Sequence, residues 1–170
     1  AIDVDGPEDM EVDHCDYLTQ ADLDDAFDAW IADFVVLSNE CDADVPDLSG
    51  ETAPDLCDGG TVSIVFAVTD SCSTDTARAT FTVNAATAID VDGPEDMEVD
   101  HCDYLTQADL DDAFDAWIAD FVVLSNECDA DVPDLSGETA PDLCDGGTVS
   151  IVFAVTDSCS TDTARATFTV

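Results

Sequence analysis

The sequence predicts a mainly β chain of tandem β-sandwich domains, each with one inserted short α-helix. Three observations lead there. First, the 170-residue chain restarts in mid-sequence: Ala1 recurs as Ala88, Cys15 as Cys102, Trp30 as Trp117, Arg78 as Arg165 and Val83 as Val170, with no mismatch over 83 compared positions. The unit of 87 residues can close a core of its own, whereas one solenoid turn takes about 20–50 residues. Second, each unit ends in two runs of strict apolar alternation around a turn, the pattern of a hairpin with one buried face. Third, a single stretch switches to the helical period. The expected domains are residues 1–87, with 84–87 as linker, and residues 88–170.

Taken in order, "GPEDMEV" reads as a Gly-Pro turn followed by a short strand, Met10 to Val12. "HCDYLTQADLDDAFDAWIADF" is the helix. Thr19 suits its N-cap and Asp22 its N3 position, close to a capping box, and Leu18 with Leu23 forms the expected hydrophobic staple. Leu23, Ala26, Phe27, Trp30, Ile31 and Phe34 then fall on one stripe, with Asp24, Asp25 and Asp28 toward water. "FVVLS" reads as a buried strand. The Pro- and Gly-containing segment that follows reads as loop with at most a short edge strand. "TVSIVFAVT" places Val62, Ile64, Phe66 and Val68 on one face. "DSCSTDT" is the turn, and "ARATFTV" places Ala77, Ala79, Phe81 and Val83 inward.

The formal charge of −40, from 42 acidic residues against two basic ones, disfavours nucleic acid and anionic membrane surfaces as partners, since their phosphates would be repelled. An apolar content of 46% separates the chain from disordered acidic tracts. Four Cys per unit point to disulfides and an oxidising compartment. A zinc knuckle is disfavoured because no C-x-x-C pair occurs. No leader is expected in this stretch, and no apolar run approaches the ~20 residues of a membrane span, which fits a mature secreted segment.

In "GGTVSIVFAVTDSCSTDTARATFTV" the chain resembles the last two strands of hyalin-repeat-like, Ig-like repeats. It is most similar to repeats of giant Bacteroidetes cell-surface adhesins and gliding-motility-associated, type IX-secreted proteins. The helix "TQADLDDAFDAW" after Cys15, "CDGGTV" at Cys57 and "TDSC" at Cys72 carry the resemblance in the family's order. The family's "T-x-T-C-P" opening and "C-T-A-T-F-T-V" ending are replaced here by "DVDGP" and "ARATFTV", both without Cys. The resemblance implies tandem Ig-like sandwiches in an extracellular, cell-surface array.

Four Cys allow three pairings. A straight strand of about nine residues at about 3.3 Å each separates Cys57 from Cys72 by about 30 Å, too far for a disulfide. In an Ig-like sandwich Cys15 and Cys57 would share one end and Cys41 and Cys72 the other. The expected bridges are therefore Cys15–Cys57 and Cys41–Cys72, repeated as Cys102–Cys144 and Cys128–Cys159. Cys41–Cys57 with Cys15–Cys72 is the alternative.

No catalytic residue is expected. An oxidised Cys15 beside His14 cannot serve as a thiolate, and Ser71 and Ser73 lie in a turn with no His nearby. Calcium is the one candidate cation, because it takes 6–8 oxygen ligands. Asp3, Asp5, Glu8 and Asp9, with their copies Asp90, Asp92, Glu95 and Asp96, offer carboxylates beside the linker. Asp42, Asp44 and Asp47 form a second group. The competing reading of both is a solvated acidic surface. "DTA" at Asp75–Ala77 resembles a Bacteroidetes O-glycosylation signal, which would place glycans on Thr76 and Thr163.

From these features the expected function is a structural repeat of an extracellular stalk, filament or adhesin, with neighbouring identical repeats as the expected partners. The rival is a multivalent carbohydrate- or ligand-binding module. That reading needs an exposed aromatic platform, and an exposed Trp30 would favour it.

Overall fold

The computed structural model describes every residue except Glu40, Cys41, Glu127 and Asp129. The chain divides into two compact units, Ala1–Ala86 and Thr87–Val170. The division falls one residue before the sequence restarts at Ala88.

The first unit is mainly β with one helix. Strand β1 (Asp3–Asp5) is followed by β2 (Met10–Asp13), helix α1 (Gln20–Ile31), β3 (Val35–Ser38), β4 (Gly60–Thr69) and β5 (Thr74–Asn84). Strand β5 is the centre of a three-stranded sheet. Its hairpin partner β4 runs antiparallel, from Gly60 opposite Val83 to Thr69 opposite Thr74. Strand β2 runs parallel along the other edge, with Met10 opposite Phe81. A second, two-stranded sheet joins β1 to β3 antiparallel, with a register shift between Asp3 and Val4.

The core lies between the sheet and the helix. Leu23, Phe27 and Trp30 from α1, with Phe34 just after it, meet Ile64, Phe66, Val68, Ala79, Phe81 and Val83 from the hairpin, and all are buried. Phe27 stands edge-on to Phe81, with ring centroids 5.2 Å apart at 87°, and Trp30 stands edge-on to Phe34 at 5.7 Å. Fully burying side chains of this size stabilises by about 1.5–3 kcal/mol each, so these few contacts dominate the fold. The Thr19 hydroxyl accepts the Asp22 N–H and the Asp22 carboxylate accepts the Thr19 N–H, completing a capping box.

Four local expectations change. "HCD" forms a separate 3-10 turn, His14–Asp16, ahead of the α-helix, which begins at Gln20 behind its expected N-cap Thr19. Leu18 is 84% exposed, so no hydrophobic staple forms. Strand β3 is an edge strand with Val35 and Leu37 exposed, not a buried one; its pairing to β1 covers a single edge. Of the expected linker, Asn84 belongs to the sheet and Ala86 is tied to the first repeat. Asn84 ends β5, its amide donates to Glu11 and Asp13 at 3.1 and 2.9 Å, and the Ala86 N–H donates to the Cys57 carbonyl at 2.8 Å.

The second unit is built on the same plan: β6 (Asp90–Asp92), β7 (Met97–Glu98), α2 (Gln107–Ile118), β8 (Val122–Ser125), β9 (Thr148–Thr156) and β10 (Thr161–Thr169). Strand β10 lies between β9, antiparallel, and β7, parallel. Strands β6 and β8 form the small sheet. Its core contains Ile89, Leu110, Phe114, Trp117, Phe121, Ile151, Phe153, Val155, Ala166 and Phe168.

Candidate functional site

Three regions of each repeat gather polar or accessible chemistry: the acidic strand at its start, a cleft beside the helix, and the cysteine-bearing turns at its two ends.

The acidic segment is a strand, not a cage. Asp3 and Asp5 flank half-buried Val4 in β1 and are exposed. Asp5 accepts the Gly6 N–H at 2.9 Å, and Asp9 accepts the Thr80 N–H at 2.7 Å. Glu8 is used through its backbone carbonyl, which accepts the Trp30 indole N–H. In the second repeat Asp92 takes the Gly93 N–H and Asp96 the Thr167 N–H. Among the described residues, neither Asp3, Asp5, Glu8 and Asp9 nor Asp90, Asp92, Glu95 and Asp96 belong to a group of three metal-ligating atoms within reach of one ion. In the second acidic group Asp44 pairs its backbone with Thr69 and Asp47 accepts the Ser49 N–H at 2.9 Å. That bond holds the Asp47 carboxyl below the usual range.

The cleft lies between α1, β3 and residues 45–51. Ile31, Phe34, Val36, Val45, Pro46 and Phe66 are among its apolar walls, and Asp28, Asp47 and Glu51 its acidic rim, around a volume of about 570 Å³. The second repeat has the same cleft at about 530 Å³. Trp30 does not form a platform beside it: the indole is 6% exposed and bonded to Glu8. Sequence reasoning missed this cleft because its far wall is the irregular loop, which has no periodic signal.

The turns at the two ends are shaped by aspartates. Between β4 and β5, Asp70 Oδ1 accepts the N–H groups of Cys72 and Ser73, both at 2.7 Å. These bonds hold its carboxyl below the usual range. The Ser73 hydroxyl accepts the Ile2 N–H at 3.4 Å, so Cys72 sits at the N-terminal pole of the first repeat. At the opposite pole Asp55 Oδ1 accepts the Asp58 and Cys57 N–H groups at 2.9 and 2.8 Å, which likewise lowers its carboxyl. Asp142 repeats this with Asp145 and Cys144. The positive φ of Gly59 closes the turn. A Cβ there would lie 2.7 Å from the Val83 oxygen and the Ala85 nitrogen.

Cys15, Cys57, Cys128 and Cys159 are disulfide-bonded. Cys72, Cys102 and Cys144 are exposed free thiols. The expected Cys41–Cys72 and Cys102–Cys144 bridges, and the alternative Cys15–Cys72, are therefore corrected. Cys41 lies outside the described residues. Around Cys102 the second repeat assembles a short relay. Asp100 Oδ1 stands 3.0 Å from His101 Nδ1, which fixes the proton on Nδ1. His101 Nε2 then stands 3.3 Å from Cys102 Sγ as an acceptor. These three exposed side chains offer one metal-ligating atom each within 4.8 Å of one another. His101 and Cys144 also line a hollow of about 290 Å³ with Asp100, Asp145 and Val170.

Thr76 is exposed early in β5, opposite Ala67, and its N–H donates to Asp75. Thr163, its copy in β10, is half-buried. No helix is long and apolar enough to cross a membrane among the described residues. No family model and no curated protein matches the chain.

Proposed function

We propose that this chain is a non-catalytic structural repeat of an extracellular stalk, filament or adhesin, built from tandem Ig-like β-sandwiches, whose partners are further identical repeats. The observation that supports it is the duplication of a complete fold. The same 83 residues occur twice, and each copy closes its own aromatic core around Phe27 and Phe81 or Phe114 and Phe168. Repeating an autonomous unit supplies length. The strand order also supports the reading, because β2 running parallel to β5, the last hairpin strand, is compatible with an Ig-like sandwich. Disulfide bonding fits an oxidising compartment, and the acidic surface keeps such a chain soluble.

The test is length against repeat number. Arrays of two, four and six repeats, imaged by electron microscopy, should lengthen by a constant increment. Arrays that collapse into compact clusters of unchanged span would defeat the reading.

The cleft beside the helix, present in both repeats, favours a second reading: a multivalent binding module, in which repetition provides avidity. Its acidic rim suits a neutral glycan or a cationic ligand better than an anion. Screening the chain on a glycan array, with Phe34→Ala as control, tests it; uniform absence of binding would set it aside.

A further inference from the structure

The chain holds 42 acidic residues and two side chains of fixed positive charge, Arg78 and Arg165. Neither arginine forms an ion pair with any described residue, although carboxylates surround the fold. The alternation of β5 explains this. Ala79, Phe81 and Val83 are buried, so the intervening residues Thr76, Arg78, Thr80 and Thr82 face outward, with Arg78 exposed. Across the hairpin Arg78 stands opposite Val65, between the Ser63–Thr80 and Ala67–Thr76 pairs, and Val65 is 47% exposed. The acidic residue of these two strands, Asp75, lies on the other side, where its carboxylate accepts the Val4 N–H at 3.0 Å. In the second repeat Arg165 stands opposite Val152, which is 48% exposed, and Asp162 accepts the Val91 N–H. The hairpin of each repeat thus presents an uncharged outer face with one cation near its middle.

The cleft of each repeat has the complementary character. Its apolar walls include Ile31, Val45 and Pro46, and its rim carries the exposed carboxylates of Asp28, Asp47 and Glu51. Asp115, Asp134 and Glu138 form the rim in the second repeat. An arginine side chain combines an apolar stem with a planar cationic head whose fork of donors matches carboxylates. We propose that the arginine-bearing hairpin face of one chain docks on the acidic cleft of a second copy, with the stem against the apolar walls and the guanidinium at the carboxylate rim. The proposal rests on the reading of identical repeats as partners and names the faces they use. The two faces differ, and each repeat has both, so the contact is heterologous and association continues from copy to copy. The charge of −40 on each chain opposes the approach. At physiological ionic strength, however, that repulsion is screened beyond about 8 Å, whereas a guanidinium meets a carboxylate at about 2.7–2.9 Å.

The experiment is sedimentation equilibrium on the whole 170-residue chain in physiological sodium chloride, over rising protein concentration. The weight-average mass should rise with concentration. Arg78→Glu/Arg165→Glu should weaken association by about tenfold or more, because it sets like charges against each other. A second variant that places Lys at Asp28, Glu51, Asp115 and Glu138 should weaken it equally. Mixing the two variants should restore association, since each then offers the charge the other lacks. All six positions are exposed, and circular dichroism checks that each variant keeps its fold. A native chain that stays monomeric throughout would overturn the proposal. So would a variant that associates as the native chain does, or a mixture that stays monomeric. Monomeric chains whose arrays still lengthen with repeat number would sink this contact alone, and associating chains whose arrays do not lengthen would sink the stalk reading alone.

Discussion

The indole N–H of Trp30 donates to the backbone carbonyl of Glu8 at 3.0 Å. This bond ties the helix to the acidic segment between β1 and β2, and Trp117 repeats it with Glu95 at 3.0 Å. It explains how a large aromatic with a polar edge can be 6% exposed without an unpaired donor.

Trp30→Ala should destabilise the first repeat by about 3–5 kcal/mol, the range for emptying a large aromatic site. Trp30→Phe should keep much of the packing but lose the bond to Glu8, costing about 1 kcal/mol from the unpaired carbonyl. Denaturant melts of both variants check this. An alanine variant within 1 kcal/mol of the native chain would show that the site collapses around the gap.

Gly59→Ala should cost about 1–3 kcal/mol, because φ of +69° is the left-handed region and the added methyl would meet the backbone at Val83 and Ala85. Gly50→Ala is the control: a Cβ there meets nothing within 4 Å, and the chain should be unchanged or slightly more stable. Equal melting points for the two variants would refute the backbone argument.

The aspartates that close the turns give a signed pH dependence. The Asp58 and Cys57 N–H groups favour the ionised form of Asp55, so its folded value lies below its unfolded one. Its contribution is therefore complete above the unfolded value, about 3.9, and is lost as pH falls through the folded value. Asp142 and Asp70 follow the same sign. Carbon-detected NMR titration should find these three ionising below the ordinary range. The stability difference between the native chain and Asp55→Ala should be constant from pH 7 to 5 and shrink in stronger acid. A difference that persists unchanged at pH 2 would mean the turn does not depend on the charge.

The helix and the hairpin were legible because their signals are local. Leu23, Phe27 and Trp30 repeat with the helical period, and Ile64, Phe66 and Val68 with the strand period; each set is buried. What was illegible depends on distant partners. The pairing of Val4 with Val36, which places Asp3 and Asp5 in a sheet, has no signal in the sequence nearby. Leu18 read as a staple from its spacing to Leu23 alone, which does not report its 84% exposure. The cysteine bonding was least legible of all: Cys15 and Cys102 have the same sequence around them and different states. The cleft required the 45–51 loop to be placed against α1, which no periodicity encodes.

The last prediction concerns the charge of −40. Like charges at this density oppose compaction, and salt screens them over about 8–10 Å at physiological strength. Thermal midpoints should therefore rise as sodium chloride goes from low to molar concentration. Of the carboxylates expected as calcium ligands, Asp5 accepts the Gly6 N–H and Asp9 accepts the Thr80 N–H. Each bond points its carboxylate at a different backbone group. Calcium should then act through ionic strength and general condensation on an acidic surface, raising the midpoint gradually with no saturable step. Differential scanning calorimetry in matched ionic strengths of sodium and calcium, with and without chelator, separates the two cases. A saturable calcium-specific rise at micromolar concentration would show that the carboxylates rearrange to bind an ion. An Asp5→Asn/Asp9→Asn pair that abolished the rise would place that ion on the β1–β2 segment.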